Sequence, residues 1–283
     1  VYSHPGAGFS LMREMFVTAF ARVLGARTVS QIHAPEVAGY LKHPLKNLLF
    51  RIAILPASGL AVLTPWWKRT LLSAGVRKSI FVIPNPLPLQ WEETAKELRL
   101  KGINKNGPLV VLTLSRIVPG KGVDLVVESM PLLPENQILV IAGDGSQLAE
   151  IKQRVQELGI ANRVRFVGWV SGDEKQCLLD ESDIFCLPSS HDSFGMGFLE
   201  AMANGLPVVA LDWGPISDVV ADKRCGILIK EKKPLMLVDA IIRLQDVQLR
   251  QSMSVEAKKW VLEQFSSQVV GKNIREMVQS ICG

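Results

Sequence analysis

From Leu109 to Ile229 the chain repeats one pattern: a short apolar run, a break at glycine or proline, then a stretch whose apolar positions recur at helical spacing. The runs fall at 109–114, 137–142, 164–167, 184–187, 207–210 and 226–229, and the helical stretches at 123–130, 148–158, 173–179, 195–204 and from Leu235 onward. Short buried strands alternating with helices leave few architectures open; the pattern predicts a parallel α/β sheet with crossover helices on its faces.

A looser version of the same alternation occupies the first part of the chain. It predicts helices at 9–24, 37–55 (broken by Pro44) and 66–74, and strands at 28–32, 60–63 and 80–83. Pro84, Pro86 and Pro88 cannot lie in a central strand. They open a connection that runs through Gly107 and holds a solvent-facing helix at 91–100. The organisation expected is therefore an amino-terminal α/β domain at 1–85, a linker at 86–107, a second α/β domain at 108–265, and a last helix at 266–283 that packs back on the first domain. Two doubly wound domains with a ligand cleft between them follow from this order.

Residues 185–209, FCLPSSHDSFGMGFLEAMANGLPVV, are the sharpest instance of the pattern. A strand stops at Pro188, a polar turn follows, and a helix starts with Ser193 as its expected N-cap and ends before Gly205 and Pro207. In an open parallel sheet such a turn lies at the carboxyl edge of the strands, where ligands bind. The N–H groups of Phe194, Gly195 and Met196 would lack helical partners, and the glycines let an anion approach, which suits a phosphate. Asp192 in the turn and Glu200 in the helix bracket this element. Ionised carboxylates accept hydrogen bonds only, which suits sugar and ribose hydroxyls. Among Phe198, Leu199, Ala201, Met202 and Ala203, a lone Glu200 needs a partner or a ligand.

The turn after the strand at 109–114, SRIVPGKG, only superficially resembles a phosphate-binding P-loop, because its glycine spacing is wrong. Arg116 and Lys121 nevertheless flank one turn at the ligand edge and could clamp a diphosphate, although two loop cations are by default simply solvated. Gly143-Asp144-Gly145 is weak evidence alone, since such a run is more often a tight turn with positive φ than a ligand loop. His4 and His33 stand near strand ends of the first domain, where a structural and a functional role are both open; His43 is assigned to the surface. Nothing pairs two aspartates as Asp-x-Asp, so a metal holding a diphosphate is not indicated.

Composition narrows the function classes. The chain of 283 residues is 48% hydrophobic, enough for two cores. The longest nearly uncharged run, 52–67, is interrupted by Pro56, Gly59 and Pro65, which is wrong for a spanning helix. A net charge of +5 fits phosphorylated ligands or an anionic membrane, and no Lys/Arg cluster with interleaved aromatics points to nucleic acid. Residues 41–55 carry Lys42, Lys46 and Arg51 among apolar residues, either as a domain helix with a wet face or as a segment resting on an anionic surface. The four cysteines lack CxxC spacing and read as reduced thiols of a cytoplasmic protein. The first residue is not Met and no secretory leader is visible, so the expectation is a soluble protein whose first domain is shortened.

Taken together, SRIVPGKGVD, AGDG, RVRFVGWV, DSFGMGFLEAMANGLPVVA, Gly214 and Asp218-Val219-Val220 before Gly226 resemble the retaining glycosyltransferases of family four, strongly over residues 80–265. The resemblance implies the GT-B fold of two Rossmann-like domains. It implies a hexose moved from a nucleotide-diphosphate donor to a glycan or lipid-linked acceptor, without metal or other cofactor. By the same resemblance Arg116 and Lys121 bind the diphosphate, Asp192 and Glu200 are the two acids of an E-x7-E motif that hold the donor sugar and the ribose, and Phe194, Gly195 and Met196 offer amides. Gly143 and Gly168 line the nucleoside pocket. His33 matches a histidine near the transferred sugar, with His4 beside it on the acceptor side, and Arg116, Lys121, Asp192 and His33 form the catalytic set. Asp192 departs from the more usual Glu by one methylene. The expected location is cytoplasmic, peripheral at the inner face of the membrane. A GT-B nucleotide-sugar epimerase and a nucleotide-sugar-binding module inactive without further amino-terminal sequence are the alternatives.

Overall fold

The computed structural model describes residues 1–97 and 107–283. The chain divides into two compact units, Val1–Pro86 with Ser267–Gly283, and Leu87–Ser266.

The first unit begins with β1 (Tyr2–Ser3), α1 (Phe9–Val23), β2 (Val29–Ile32), α2 (Val37–Lys42), α3 (Pro44–Ala53), β3 (Gly59–Val62), α4 (Pro65–Ser73) and β4 (Ile80–Val82). Its four strands are parallel in the order β1-β2-β3-β4. All residues of β2 and β3 are buried, as strands covered on both faces must be. Proline at the first position of α3 separates it from α2, because the ring fixes φ and supplies no N–H.

The second unit holds α5 (Leu89–Lys96), β5 (Leu109–Leu114), α6 (Val123–Ser129), β6 (Gln137–Ala142), α7 (Leu148–Glu157), β7 (Val164–Gly168), α8 (Gly172–Glu181), β8 (Ile184–Leu187), α9 (Met196–Ala203), β9 (Val208–Leu211), α10 (Ile216–Val219), β10 (Gly226–Ile229), α11 (Pro234–Arg243) and α12 (Val247–Phe265). Six parallel strands run in the order β10-β9-β8-β5-β6-β7. Val111, Ile141, Val127, Ile151, Val209 and Leu237 belong to its buried core. From β5 the chain builds outward through β6 to β7, then returns to place β8 on the other side of β5. The loops after β5 and β8 therefore part at the carboxyl edge, which is the switch point of an open sheet. The last helix, α13 (Ser267–Cys282), contributes Val270 and Met277 to a core with Val29, Ala61 and Ile83 of the first unit.

The α/β class and both parallel sheets are as expected; four local readings are corrected. β1 was not anticipated, because two residues are too few to show a period. The helix expected to face solvent at 91–100 is α5 over its described part, and it is packed rather than wet. Trp91 (3% exposed) and Ala95 form an i, i+4 stripe, and α5 lies against α9 and α12; residues 98–106 lie outside the described ones. The N-cap of α9 is Gly195 in the left-handed region instead of Ser193, since the helix starts at Met196. Finally, α3 exposes more than the wet face expected of it: Lys46 and Arg51 are exposed, and so are Leu45, Leu48, Leu49, Ile52 and Leu55, while Phe50 is buried. Phe9, Phe16, Phe20 and Val23 of α1 are exposed as well. All four cysteines are free, Cys186 and Cys225 buried, Cys177 and Cys282 exposed.

Candidate functional site

At the switch point the two loops are bound to each other through their backbones. The Ser190 N–H donates to the Gly120 carbonyl (2.8 Å), the Ser189 hydroxyl donates to the same oxygen (3.3 Å), and the His191 N–H returns to Ser189 Oγ (3.2 Å). Gly122, at φ 79°, makes this approach feasible: a Cβ there would lie 2.6 Å from the Pro188 carbonyl oxygen.

This apposition brings Lys121 of one loop onto Asp192 of the other. Lys121 Nζ donates to Asp192 Oδ1 at 2.6 Å, with side chains only 9% and 15% exposed. A cation so removed from water requires such a partner. The other oxygen, Asp192 Oδ2, is buried with no hydrogen-bond partner among the described residues. Since a buried acceptor left unpaired is costly, Asp192 is an acceptor in want of a donor group.

Glu200 has a partner that the sequence reading missed. Lys175, in the first turn of α8, donates to both carboxylate oxygens of Glu200, at 3.2 and 3.1 Å. Beside it, Gln176 Nε2 donates to Asn204 Oδ1 (2.8 Å), so α8 and α9 are joined twice. The one signal in the sequence was Glu200 itself, a charge among apolar neighbours; a partner 25 residues away on another helix carries no local mark.

Phe194 is buried, its ring edge-on to Phe265 at 5.5 Å, and this fixes the turn just before α9. The N–H groups of Phe194, Gly195 and Met196 have no backbone acceptor among the described residues, as the start of a helix requires. Arg116 is exposed and has no ion-pair partner among the described residues. Its loop is laced to the one after β6: the Ile117 N–H donates to the Asp144 carbonyl (2.8 Å) and the Gln147 N–H to the Ile117 carbonyl (3.0 Å). Gly143, at φ 140°, permits this lacing, because a Cβ would fall 1.8 Å from the Ser115 carbonyl oxygen. Its N–H donates to the carbonyl of Gly168 (2.7 Å) at the end of β7, next to an exposed Trp169.

The sequence-predicted residues of the second unit thus share one sheet edge but fall into separate pairs. Asp192 is held by Lys121, Glu200 by Lys175, and Arg116 joins neither. In the first unit, His4 and His33 follow β1 and β2 directly and meet at 2.9 Å between Nδ1 and Nε2. Burial, then the charge of His4, holds His33 below its ordinary value. Among the described residues no group of three or more His, Cys, Asp or Glu is placed to hold a metal ion, and no helix is long and apolar enough to cross a membrane.

Comparison with known proteins follows the same edge. The family model described as Glycosyl transferases group 1 matches residues 95–260. The chain is 30% identical over 201 residues to an uncharacterized glycosyltransferase of Methanocaldococcus jannaschii, covering 69% of this chain and 51% of that one. It is 29% identical over 269 residues to a GDP-mannose-dependent alpha-(1-6)-phosphatidylinositol monomannoside mannosyltransferase of Mycobacterium tuberculosis, covering 87% of this chain and 68% of that one. Among solved structures, Anabaena HepE in complex with UDP-glucose superposes with a TM-score of 0.80 at 22% identity, over 98% of this chain and 79% of that one. That likeness is one of fold, the two-sheet GT-B architecture. Against the first curated relatives the matches span about half of those proteins' lengths, 51% and 43%.

Proposed function

Because the chain belongs to the glycosyl transferases group 1 family, we propose that it moves a hexose from a nucleotide-diphosphate donor to a glycan or lipid-linked acceptor, with retention at the anomeric carbon and without a metal ion. The observation that carries this reading is the Lys121–Asp192 pair, 2.6 Å apart across the switch point. It sets a cation and an acceptor with one unfilled oxygen beside the amides that start α9, which have no backbone acceptor among the described residues.

In this reading Lys121, Arg116 and the amides of Phe194, Gly195 and Met196 take the donor diphosphate, Arg116 as a fork and Lys121 as a point charge. Asp192 accepts from hydroxyls of the donor sugar, Glu200 from those of the ribose, and Gly143 and Gly168 border the nucleoside. As the glycosidic bond breaks, its electron pair goes to the departing phosphate oxygen, where these positive groups stabilise the charge. The acceptor hydroxyl bonds to the anomeric carbon on the same face and passes its proton to the leaving phosphate. His33, with His4, is assigned to the transferred sugar and the acceptor; its depressed affinity for protons keeps it a neutral hydrogen-bonding ring. No nucleic acid takes part. Peripheral contact with an anionic membrane, at its cytoplasmic face in this reading, is assigned to the exposed leucines and the cations of α3.

The test is nucleotide release from UDP-glucose and from GDP-mannose, with and without EDTA, in the presence of candidate acceptors. Release from one donor, undiminished by EDTA, is the expected result. Binding of UDP or GDP with no turnover of either donor would reduce the chain to a nucleotide-sugar-binding module.

A further inference from the structure

We propose that Lys175 is a positioning residue for the donor's ribose, acting through Glu200. The inference rests on the donor-site reading above, and it adds a residue which neither the sequence motif nor that reading contains.

Glu200 projects from a helix whose neighbouring side chains, Phe198, Leu199, Ala201, Met202 and Ala203, are all buried. Its carboxylate is 14% exposed, and a polar group so placed needs a partner to hold it. Lys175 is that partner, touching Oε1 and Oε2 almost equally, at 3.2 and 3.1 Å. A contact shared between both oxygens fixes the plane of the carboxylate. A single ammonium fills only part of a carboxylate's roughly four acceptor positions. The remainder is available to two neighbouring hydroxyls, the arrangement a ribose presents.

A merely structural role for Lys175 would be to tie α8 to α9. That task is already served one residue along, where Gln176 donates to Asn204 (2.8 Å) and Asn204 Nδ2 donates to the Glu200 carbonyl (2.8 Å). Lys175 and Glu200 stand in the early turns of α8 and α9, and both helices leave the carboxyl edge of the same sheet. The ion pair is therefore at the ligand edge, where an ammonium serves the orientation of Glu200.

The experiment is calorimetry on the whole chain with UDP, GDP and their 2′,3′-dideoxy analogues, which differ only in the hydroxyls assigned to Glu200. The wild-type protein is expected to bind the ribonucleotide of its preferred base about tenfold more tightly than the dideoxy form, the worth of one charge-assisted hydrogen bond. Lys175→Ala should abolish this preference by weakening the ribonucleotide and leaving the dideoxy form unchanged, and Lys175→Arg should restore part of it. Lys175→Gln keeps a donor toward Glu200 without the charge, so it guards against misfolding, and it should lose the preference by a smaller factor. A ribose preference that survives both Lys175→Ala and Lys175→Gln, or an equal loss for the ribo and dideoxy forms, overturns the assignment of Lys175 while leaving the donor site standing. If the wild-type protein binds neither UDP nor GDP, the donor-site reading fails and takes this proposal with it.

Discussion

At the ends of two adjacent parallel strands, His4 and His33 share a hydrogen bond of 2.9 Å, and only one proton can lie between them. Burial, with the charge of His4 second, lowers the proton affinity of His33 in the folded chain from its ordinary value of 6.5. The sign of the consequence is fixed by linkage. Above that value His33 is neutral in both states; below it the unfolded chain takes up a proton that the folded chain resists, so stability falls as pH falls until the folded group also titrates. The denaturant midpoint should therefore drop between about pH 7.5 and about pH 5.5, and His33→Gln should flatten that slope. An unchanged slope in the variant would remove His33 from the account. The same scale shows what single residues disclose. Glu200 announced that it needed a partner, because a charge among apolar helix neighbours is expensive. Asp192 and Lys121 were each legible as ligand-edge residues. That they would meet at 2.6 Å was not, since it depends on the crossing of two loops 71 residues apart.

Elements were more legible than their surroundings. Strands bounded by glycine or proline, such as β6, β8 and β10, were read at their observed limits, because a largely buried run with a hard stop leaves little choice. α5 was misjudged because one tryptophan and one alanine make its apolar stripe, too little to outweigh five charged or polar neighbours in the sequence. α3 was misjudged in the opposite sense. Its leucines are outside, and between Val37 and Ser58 there are Lys42, Lys46 and Arg51 but no carboxylate. An exposed apolar face rimmed only by cations complements an anionic bilayer. Flotation should carry the protein with vesicles containing anionic phospholipid and leave it behind with purely zwitterionic ones. Leu45→Ser with Leu49→Ser should release it without unfolding the helix, since neither side chain is buried. Equal behaviour on both vesicle types would confine α3 to a role within the protein.

For the whole molecule, chain order decides where chemistry can occur. In the second unit β5 has β8 on one side and β6 on the other, so the loops that bear Arg116, Lys121 and Asp192 part at one edge, and the amides that start α9 open there too. Sequence alternation alone was enough to predict that edge; the glycines at 122 and 143 show how closely the loops must pack to build it. The central claim is that this edge grips the diphosphate of a nucleotide. It is tested most directly by calorimetric titration of UDP and GDP into the wild-type chain and into Arg116→Ala. Arg116 is exposed and has no ion-pair partner among the described residues, so its removal leaves the fold alone, unlike removal of Lys121, which would strand Asp192. The account predicts that one of the two nucleotides binds and that Arg116→Ala weakens it about tenfold or more, the loss of a charge-assisted contact to phosphate. Equal affinity in the two proteins would contradict it.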